Sequence, residues 1–414
     1  MKKDNGATKM EIFRDTIIQG DCLTELKKAP DNFVDCCFTS SPYWGKRDYG
    51  LQNIKIWDGN EDCEHEFTER EVYHSKLQFR AGESTTVGNN LNPEAMGNPI
   101  QKEAYCKKCG AWKGQLGLEP HPSLFVKHIV DVFHEVKRVL KPTGTLFLNL
   151  GDTYFGGKGK SGRKDHNIEQ RIVEGRTLQK KEWTLNESDA PQDRCKADGK
   201  WLRPKQKMLI PERIAIAMQD DGWILRNSII WHKLNHMPES VADRLTCSYE
   251  PVYFFTKSEK YYFNLDSIRR PHQTDCKRST RKMTQIMTFG KTSTFNGGKD
   301  YNPLGGNPGD VWTLTTEPSK VAHFATFPTK LVRRGLLCGC PAGGLVLDPF
   351  TGSGTTLYVA RRMALHYLGI EMNPKYAEIA RKRLIKNKFI DVPPQQLQLS
   401  DCQLLACNNL RSEL

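Results

Sequence analysis

The sequence lacks any long run of apolar residues. Across its 414 residues no stretch approaches the roughly 20 apolar residues that a membrane-spanning helix requires. The N-terminus, Met-Lys-Lys-Asp-Asn, leads into no apolar segment that would indicate a secretory signal. We therefore expect a cytoplasmic protein of a bacterium or a phage, or a nuclear one in a eukaryote. In such a compartment its 13 cysteines favour free thiols or metal ligands over disulfides.

Acidic residues are in the minority. The formal net charge is +13 at pH 7, and a basic surplus of this size favours a polyanionic partner such as nucleic acid. Charged residues make up 26% of the chain and hydrophobic residues 38%, which excludes a disordered chain. The length predicts two or three domains with a large core.

Strand and helix patterns alternate along most of the chain. Apolar and β-branched runs predict strands at 16–19, 34–39, 145–150, 223–231, 252–256, 345–347 and 366–370. Helical signals fall between them, at 22–28, 124–140, 211–218, 328–337, from about 354, and at 374–385. This alternation predicts an α/β fold with a doubly wound, mostly parallel, Rossmann-like sheet. Polar, irregular sequence interrupts the pattern at about 44–120 and at 156–210.

A glycine-rich loop follows the predicted strand 345–347. It reads Asp-Pro-Phe-Thr-Gly-Ser-Gly-Thr-Thr over 348–356 and leads into a helix. Gly352 and Gly354 let a ligand approach the backbone closely at the carboxyl end of a strand, where doubly wound sheets bind their ligands. Glu371 ends the next predicted strand, where a carboxylate accepts hydrogen bonds from ribose hydroxyls.

Other uses of this loop fit less well. A P-loop is excluded because no Lys follows the glycines at the required spacing, and a nicotinamide dinucleotide site needs a third glycine. A purely structural turn is a further alternative, but an adenosyl cofactor without a pyrophosphate suits the loop better. Only about 60 residues follow Gly354, so the other strands of the sheet must come from earlier in the chain. We therefore expect a circularly permuted sheet with its cofactor half last.

The predicted strand 34–39 delivers Ser40-Ser41-Pro42-Tyr43 at its carboxyl end, where reacting groups collect. An exocyclic base amine is a poor nucleophile because its lone pair is delocalised into the ring. Acceptors aimed at its hydrogens, the Ser40 Oγ and the Ser41 carbonyl, would favour the nucleophilic form. Pro42 stiffens the loop, and Tyr43 can stack on a base taken out of the duplex. An ordinary turn with a packed Tyr-Trp pair is the alternative.

Together these motifs resemble the amino-methylating DNA methyltransferases, in the group whose catalytic motif precedes the cofactor motif. The catalytic loop of that family reads Asp/Asn/Ser-Pro-Pro-Tyr/Phe, and its cofactor loop is close to Asp-Pro-Phe-x-Gly-x-Gly-Thr-Thr. The likeness extends over most of the chain, through the segments 20–22, 39–50, 148–152, 231–233, 307–312, 323–328 and 345–373.

The resemblance implies S-adenosylmethionine as cofactor and double-stranded DNA as partner. A cognate restriction endonuclease in the same system is a candidate partner that the sequence itself does not reveal. It implies that the cofactor is bound by Asp348, Phe350, Gly352, Gly354, Thr356 and Glu371, with Asp21 and Phe327 nearby. Ser40 in the first catalytic position is typical of cytosine-N4 enzymes, whereas Asp is typical of adenine-N6 enzymes. Ser41 departs from the family pattern, which has Pro there. The carbonyl acceptor survives that change, and what the change affects is the rigidity of the loop.

Two pairs of candidate metal ligands lie in the first polar stretch. Cys63 and His65 form one pair, and Cys106 and Cys109 form the other within Cys-Lys-Lys-Cys-Gly. Four thiol or imidazole ligands at this spacing suit tetrahedral structural zinc. With no open ligand position, the ion would hold the insertion together rather than catalyse. Four unrelated side chains are the alternative.

The methyltransferase core is expected to be divided along the chain. Its catalytic half is predicted at 10–54, its continuations at 121–155 and 211–264, and its cofactor half at 321–390. The other segments are a zinc-ribbon-like insertion at 55–120, a basic loop at 156–210, a target-recognition region at 265–320 and a tail at 391–414. The candidates for DNA contact are the zinc-ribbon-like insertion, the basic loop 156–210 and the basic stretch 269–300, through phosphates where they are basic. The resemblance places base-edge contacts in the target-recognition region. A solvated charge run is the alternative for the basic loop.

These features predict a site-specific DNA methyltransferase that acts on the N4 amine of a flipped cytosine. An adenine-N6 methyltransferase is the main alternative, and Ser40 argues against it. Methylation of an amine in RNA or protein is a second alternative. A catalytically inactive, zinc-containing DNA-binding protein is an alternative of another class, against which intact Ser40, Asp348 and Glu371 argue.

Overall fold

The structure, a computed structural model, describes most of the predicted core. The described residues are 11–45, 54–72, 101–155, 202–203, 205–239, 241–272, 287–288, 291–292, 302–317 and 327–386. The tail at 391–414, nearly all of the basic loop at 156–210, the segment 323–326 and much of the target-recognition region lie outside them. None of the helices in the described part has the length and apolar character needed to cross a membrane.

Strands and helices alternate as the sequence predicts. The strands are β1 (Thr16–Gln19), β2 (Val34–Ser40), β3 (Ile54–Trp57), β4 (Phe67–Val72), β5 (Gln101–Cys106), β6 (Trp112–Gln115), β7 (Leu140–Asn149), β8 (Ile224–His232), β9 (Tyr249–Thr256), β10 (Met287–Thr288), β11 (Lys291–Thr292), β12 (Val311–Thr313), β13 (Leu345–Asp348) and β14 (His366–Glu371). The helices are α1 (Cys22–Lys28), α2 (Pro122–Val139), α3 (Ile210–Asp220), α4 (Thr329–Gly339), α5 (Thr355–Arg362) and α6 (Pro374–Lys386).

An eight-stranded sheet lies at the centre of the fold, in the order β1-β14-β13-β2-β7-β9-β8-β12. Neighbouring strands are parallel except around β9, which runs antiparallel to both β7 and β8. The prediction of a mostly parallel α/β sheet is confirmed. The interpretation of its chain order as a circular permutation stays a prediction.

Helices cover both faces of this sheet, which explains why its central strands are apolar on both sides. Side chains of β2 alternate between two hydrophobic clusters. Val34 and Cys37 pack in the cluster that contains α1, α2 and α3. Cys36 and Phe38 pack in the opposite cluster, with α4, α5 and α6. The sheet is therefore doubly wound. Its two faces are covered by helices, and the carboxyl ends of its strands are left available for a site.

The insertion is not irregular, contrary to the prediction for 44–120. Within its described residues it forms an antiparallel four-stranded sheet in the order β3-β6-β5-β4. Its strands are short and β4 reads Phe-Thr-Glu-Arg-Glu-Val, so little apolar alternation marks it in the sequence. The strand predicted at 145–150 begins earlier than expected, because β7 starts at Leu140 directly after the helix that ends at Val139.

Two glycines on α4 allow that helix to pack closely on the sheet. A Cβ added at Gly335 would lie 2.6 Å from the Phe38 ring, and one at Gly339 would lie 2.4 Å from the Phe147 ring. Phe38 and Phe147 stack with ring centroids 5.7 Å apart on neighbouring strands. The rings fill the space that side chains on the helix would need.

We predict that Gly339→Ala lowers the free energy of unfolding by about 1–3 kcal/mol, because the added methyl group overpacks the core. Urea denaturation followed by tryptophan fluorescence measures this change. Gly306→Ala is the matched control, since a Cβ there meets no atom within 4 Å. Equal stability of the two variants would contradict the packing described for α4.

Candidate active site

Two strands that are far apart in the chain lie side by side at the centre of the sheet. β2 pairs with β13 in parallel, with Cys36 opposite Val346 and Cys37 opposite Leu347. Their carboxyl ends therefore reach the same edge of the sheet. The loop Ser40-Ser41-Pro42-Tyr43 and the glycine-rich loop 348–356 meet there.

Two buried hydrogen bonds hold these loops together. The Thr39 hydroxyl donates to Asp348 Oδ1 at 2.7 Å, and the Thr356 hydroxyl donates to the Phe38 carbonyl at 3.1 Å. All four residues are buried, so an unmade bond would leave a polar group unsatisfied, at a cost of about 1–3 kcal/mol. The spacing of the two loops is therefore set by paired groups within the core.

A cleft opens between the two loops and extends to β1 and β14. Its lining residues are Gly20, Asp21, Cys22, Ser40, Ser41, Pro42, Tyr43, Lys55, Trp57, Gln115, Leu116, Phe327, Pro349, Phe350, Thr351, Gly352, Ser353, Thr355, Ile370, Glu371, Met372 and Tyr376. All four residues of the predicted catalytic loop are included. Five of the predicted cofactor residues are also included: Asp21, Phe327, Phe350, Gly352 and Glu371.

The other three predicted cofactor residues are not among the lining residues. Asp348 accepts a hydrogen bond from the Phe350 N–H at 3.1 Å, and Thr356 bonds to β2 as described. Gly354 has φ +79°, and a Cβ there would lie 2.9 Å from the Ala380 Cβ on α6. Asp348, Gly354 and Thr356 thus shape the loop, and we expect them to act on a cofactor through that shape.

Glu371 lies at the end of β14, where a ribose-binding carboxylate was expected. Its Oε2 accepts the Gly352 N–H at 2.7 Å, and its Oε1 accepts the Asn373 N–H at 2.8 Å. Burial raises the pKa of the Glu371 carboxyl, although these backbone donors lower it in part. The two N–H groups fix the orientation of the carboxylate. Each oxygen keeps acceptor capacity for a sugar hydroxyl.

A chain of hydrogen bonds runs from the catalytic loop to β9. The Ser40 hydroxyl donates to the Tyr43 hydroxyl at 3.3 Å, and Tyr43 lies 3.0 Å from Glu250 Oε2 and 3.1 Å from Asn149 Oδ1. Lys233, directly after the end of β8, donates to Glu250 Oε1 at 2.6 Å. Both oxygens of the carboxylate are thereby engaged, one by a phenol and one by an ammonium group.

The ion pair between Glu250 and Lys233 sets the direction of this chain. Glu250 can only accept hydrogen bonds, so the single proton of the Tyr43 hydroxyl points toward it or toward Asn149. The Tyr43 oxygen is then an acceptor for the Ser40 proton. Consequently the lone pairs of Ser40 Oγ, rather than its proton, are offered to the cleft.

Tyr43 is more confined than its predicted role as a stacking platform implies. Its ring packs against Gly151, where an added Cβ would lie 2.2 Å from a ring carbon. Ser41 is buried, and its hydroxyl contacts the Pro42 carbonyl at 3.3 Å. These contacts hold the loop in place despite the replacement of the family's proline by Ser41. Stacking of Tyr43 on a base stays a prediction.

A second polar cluster joins the catalytic loop to the insertion. The Trp44 indole N–H donates to the Glu119 carbonyl at 2.9 Å. Glu119 Oε1 lies 3.0 Å from His128 Nδ1, and Asp58 Oδ2 lies 3.1 Å from His128 Nε2. His128 and Glu119 are fully buried, and burial raises the pKa of the Glu119 carboxyl. The structure places His128 in the core with both ring nitrogens paired.

The four predicted zinc ligands converge at one end of the four-stranded sheet. Their ligand atoms all lie within 4.8 Å of one another. The Cys63 and Cys106 sulfurs are 3.8 Å apart, and Cys109 Sγ lies 3.4 Å from His65 Nδ1. Tetrahedral zinc with bonds of about 2.3 Å to sulfur and 2.0 Å to nitrogen places its ligands about 3.5–3.8 Å apart. The residues therefore fit zinc, which would cross-link the strands.

Several residues at the site were missed by the sequence analysis. Lys55, Trp57, Gln115 and Leu116 line the cleft although they belong to the insertion. The insertion was read as a separate module, and no spacing rule connects its residues to a distant loop. Glu250 was also missed, because a glutamate at the start of a strand carries no signal by itself. The nearest signal in the sequence was the segment Trp231-His232-Lys233, which resembles the family and whose Lys233 pairs with Glu250.

Comparison with known proteins shows that this chain is similar to DNA methylases. Residues 34–382 match the DNA methylase family of N6 and N4 methyltransferases. The type II methyltransferase M.Cfr9I of Citrobacter freundii is 32% identical over 91% of this chain and 89% of its own length. M.SmaI of Serratia marcescens is 31% identical over 90% of this chain and 91% of its own. The solved PvuII DNA methyltransferase (cytosine-N4-specific) covers 95% of the chain at 14% identity and a TM-score of 0.49, a likeness too distant to support an inference.

The buried position of Asp348 generates a pH-dependent prediction. Burial raises the pKa of its carboxyl from 3.8 to about 6, against hydrogen bonds from the Thr39 hydroxyl and the Phe350 N–H that lower it. A carboxyl with a raised pKa in the folded state contributes stability that is full below the unfolded pKa and is lost as the pH rises through the folded pKa.

Asp348→Asn removes this titration. The unfolding free energy of the wild type should therefore fall, relative to that of the variant, by about 2 kcal/mol between pH 4 and pH 7. Urea denaturation at several pH values measures the difference, and Asp310→Asn, on the exposed surface, is the control. A difference between wild type and Asp348→Asn that does not change with pH would contradict the assignment.

Proposed function

This chain belongs to the DNA methylase family and is a DNA methyltransferase that uses S-adenosylmethionine, and we propose that it methylates the N4 amine of cytosine. The observation that carries the choice of base is Ser40 at the first position of the catalytic loop, a residue typical of cytosine-N4 enzymes. Adenine-N6 enzymes typically have Asp there. The substrate proposed is double-stranded DNA, with the target base flipped into the cleft.

The proposed reaction forms a bond between N4 and the methyl carbon. The methyl carbon–sulfur bond breaks, its electron pair stays on sulfur, and S-adenosylhomocysteine leaves. The bound cofactor supplies an electrophilic methyl group. This chain supplies the geometry, because the two loops that frame the cleft are fixed by the Thr39–Asp348 and Thr356–Phe38 hydrogen bonds.

Ser40 is proposed to accept a hydrogen bond from the amine. Its oxygen presents lone pairs because its own proton is directed to Tyr43, and Tyr43 is oriented by Asn149 and Glu250. The Ser41 carbonyl is the proposed second acceptor. Acceptors aimed at both amine hydrogens stabilise the positive charge that develops on N4 as the methyl group arrives. Tyr43 and Glu250 also offer a path for the proton that N4 loses after the transfer.

Basic charge supports DNA as the substrate. The net charge of +13 attracts a phosphate backbone irrespective of sequence. The segment 265–320 is the proposed target-recognition region, and a cognate restriction endonuclease is the proposed partner in the cell. The relatives named above are type II methyltransferases.

Product analysis tests the choice of base. We expect the protein, incubated with unmethylated duplex DNA and cofactor carrying a labelled methyl group, to yield labelled N4-methylcytosine after digestion to nucleosides. A parallel incubation without enzyme gives the background. N6-methyladenine as the sole labelled nucleoside would overturn the proposal for cytosine and favour the adenine-N6 alternative.

Ser40→Ala should lower kcat by about 10²–10³-fold, because it removes an acceptor that acts in the transition state. Glu250→Gln should lower kcat by about 10²-fold, because an amide can donate to Tyr43 and reverse the hydrogen-bond chain. Both variants should bind S-adenosylhomocysteine like the wild type in calorimetry. Ser228→Ala, at an exposed position on β8, is the control. Unchanged turnover in Ser40→Ala would refute its assigned role.

A further inference from the structure

The segment 117–119, between β6 and α2, is hydrogen-bonded to the residues that follow the catalytic loop. The Gly45 N–H donates to the Gly117 carbonyl at 2.8 Å. The Trp44 indole N–H donates to the Glu119 carbonyl at 2.9 Å. The last residues of the insertion therefore hold the chain at the point where it leaves the catalytic loop.

Gly117 also packs against the catalytic loop itself. A Cβ added at Gly117 would lie 3.2 Å from Pro42 Cβ and 3.3 Å from the Tyr43 carbonyl oxygen. Its φ of +92° is a conformation that favours glycine. The Ser41 carbonyl belongs to the planar peptide that joins Ser41 to Pro42, so the position of Pro42 fixes the direction of that carbonyl.

The Glu119 carboxylate holds the segment 117–119 in this conformation. Its Oε2 accepts the Gly117 N–H at 2.8 Å, and its Oε1 lies 3.0 Å from His128 Nδ1. His128 Nε2 lies 3.1 Å from Asp58 Oδ2, which fixes the imidazole in turn. Glu119 and His128 are buried, so the loss of either partner would leave a buried polar group unsatisfied.

We propose that Glu119 and Gly117 are positioning residues for methyl transfer, and that they hold the Ser41 carbonyl in the direction in which it accepts from the target amine. Both act through the catalytic loop, because Ser41 and Pro42 line the cleft whereas Glu119 and Gly117 are not among its lining residues. The insertion thereby serves the reaction as a support of the catalytic loop. This inference rests on the proposed function, because it takes the Ser41 carbonyl to be an acceptor for the amine.

A pair of glycine variants separates positioning from stability. Gly117→Ala and Gly343→Ala both place an alanine at a positive φ, +92° and +67°, but a Cβ at Gly343 meets no atom within 4 Å. Both variants should therefore be destabilised in urea, and only Gly117→Ala should push on the catalytic loop. The added methyl group there requires its neighbours to move by a few tenths of an ångström.

The rate to measure is that of a single turnover, with enzyme in excess over duplex DNA and with a labelled methyl group on the cofactor. We expect this rate to fall about tenfold in Gly117→Ala, because the acceptor is misplaced, and to stay unchanged in Gly343→Ala. Calorimetry should give an affinity for S-adenosylhomocysteine within about twofold of the wild type for both variants. Equal rates in the two variants overturn the proposal, and so does a loss of affinity in Gly117→Ala as large as its loss of rate.

A second set of variants tests Glu119. Glu119→Gln keeps an oxygen for the Gly117 N–H and presents an amide N–H to His128 Nδ1, so its rate should stay within about threefold of the wild type. Glu119→Leu removes both contacts and should lower the rate about tenfold or more. Thr145→Val is the control, because it removes another buried hydrogen bond, to the Gly339 carbonyl, and should destabilise the fold without lowering the rate.

The role of Glu119 is overturned if Glu119→Gln and Glu119→Leu have equal rates, or if Thr145→Val loses as much of the rate as Glu119→Leu. Circular dichroism shows which variants are folded. If Glu119→Leu does not fold, the glycine pair decides, and the glutamate set decides if Gly117→Ala does not fold.

This proposal and the proposed function fail in different ways. The rate is taken from all the label transferred to DNA, so a product other than N4-methylcytosine would overturn the choice of base and leave this test intact. Unchanged turnover in Ser40→Ala would overturn both, since the loop would not be catalytic. A large loss in Ser40→Ala, together with equal rates in Gly117→Ala and Gly343→Ala, leaves the proposed function standing and overturns the positioning role.

Discussion

The buried hydrogen bond from the Thr39 hydroxyl to the Asp348 carboxylate joins the two halves of the active site. Its partners are separated by 309 positions in the chain, yet they occupy the carboxyl ends of neighbouring strands. Because β2 and β13 are parallel and buried on both faces, the loops that follow them cannot shift without breaking the core. The cleft, the orientation of Ser40 and the shape of the cofactor loop all depend on this junction.

A second junction brings the insertion into the site. His128 lies between two indole rings and two carboxylates, and Glu119 reaches the catalytic loop through the Trp44 indole. The four-stranded sheet is therefore packed against the core through aromatic and hydrogen-bonding contacts. The zinc ligands at its far end and Lys55 at its near end are parts of one small unit. A module that sequence alone suggests for DNA contact is, in the structure, next to the proposed cofactor.

Much of this could be read from the residues. The alternation of strands and helices predicted the mostly parallel sheet, and the loop motifs predicted which residues meet at its edge. The four candidate zinc ligands were also predicted from spacing, and the structure brings their ligand atoms together. The strands of the insertion were missed because they are short and polar, and their packing on α2 through Trp57, Trp112 and His128 follows no hydrophobic alternation. Glu250 was missed because its importance comes from contact with Tyr43, which no local pattern encodes.

The amino-acid sequence by itself indicated the family, the residues of the two loops and the four Cys and His side chains that lie together in the insertion. These properties depend on residue type and short-range spacing, which a linear chain displays directly. Tertiary structure decided the direction of the Ser40–Tyr43–Glu250 hydrogen bonds. It also decided that Asp348, Gly354 and Thr356 lie behind the surface of the cleft. Finally, it placed Lys55 in the wall of the cleft. Each of these results from contact between strands that are distant in the chain, and such contacts are set by the packing of the whole sheet.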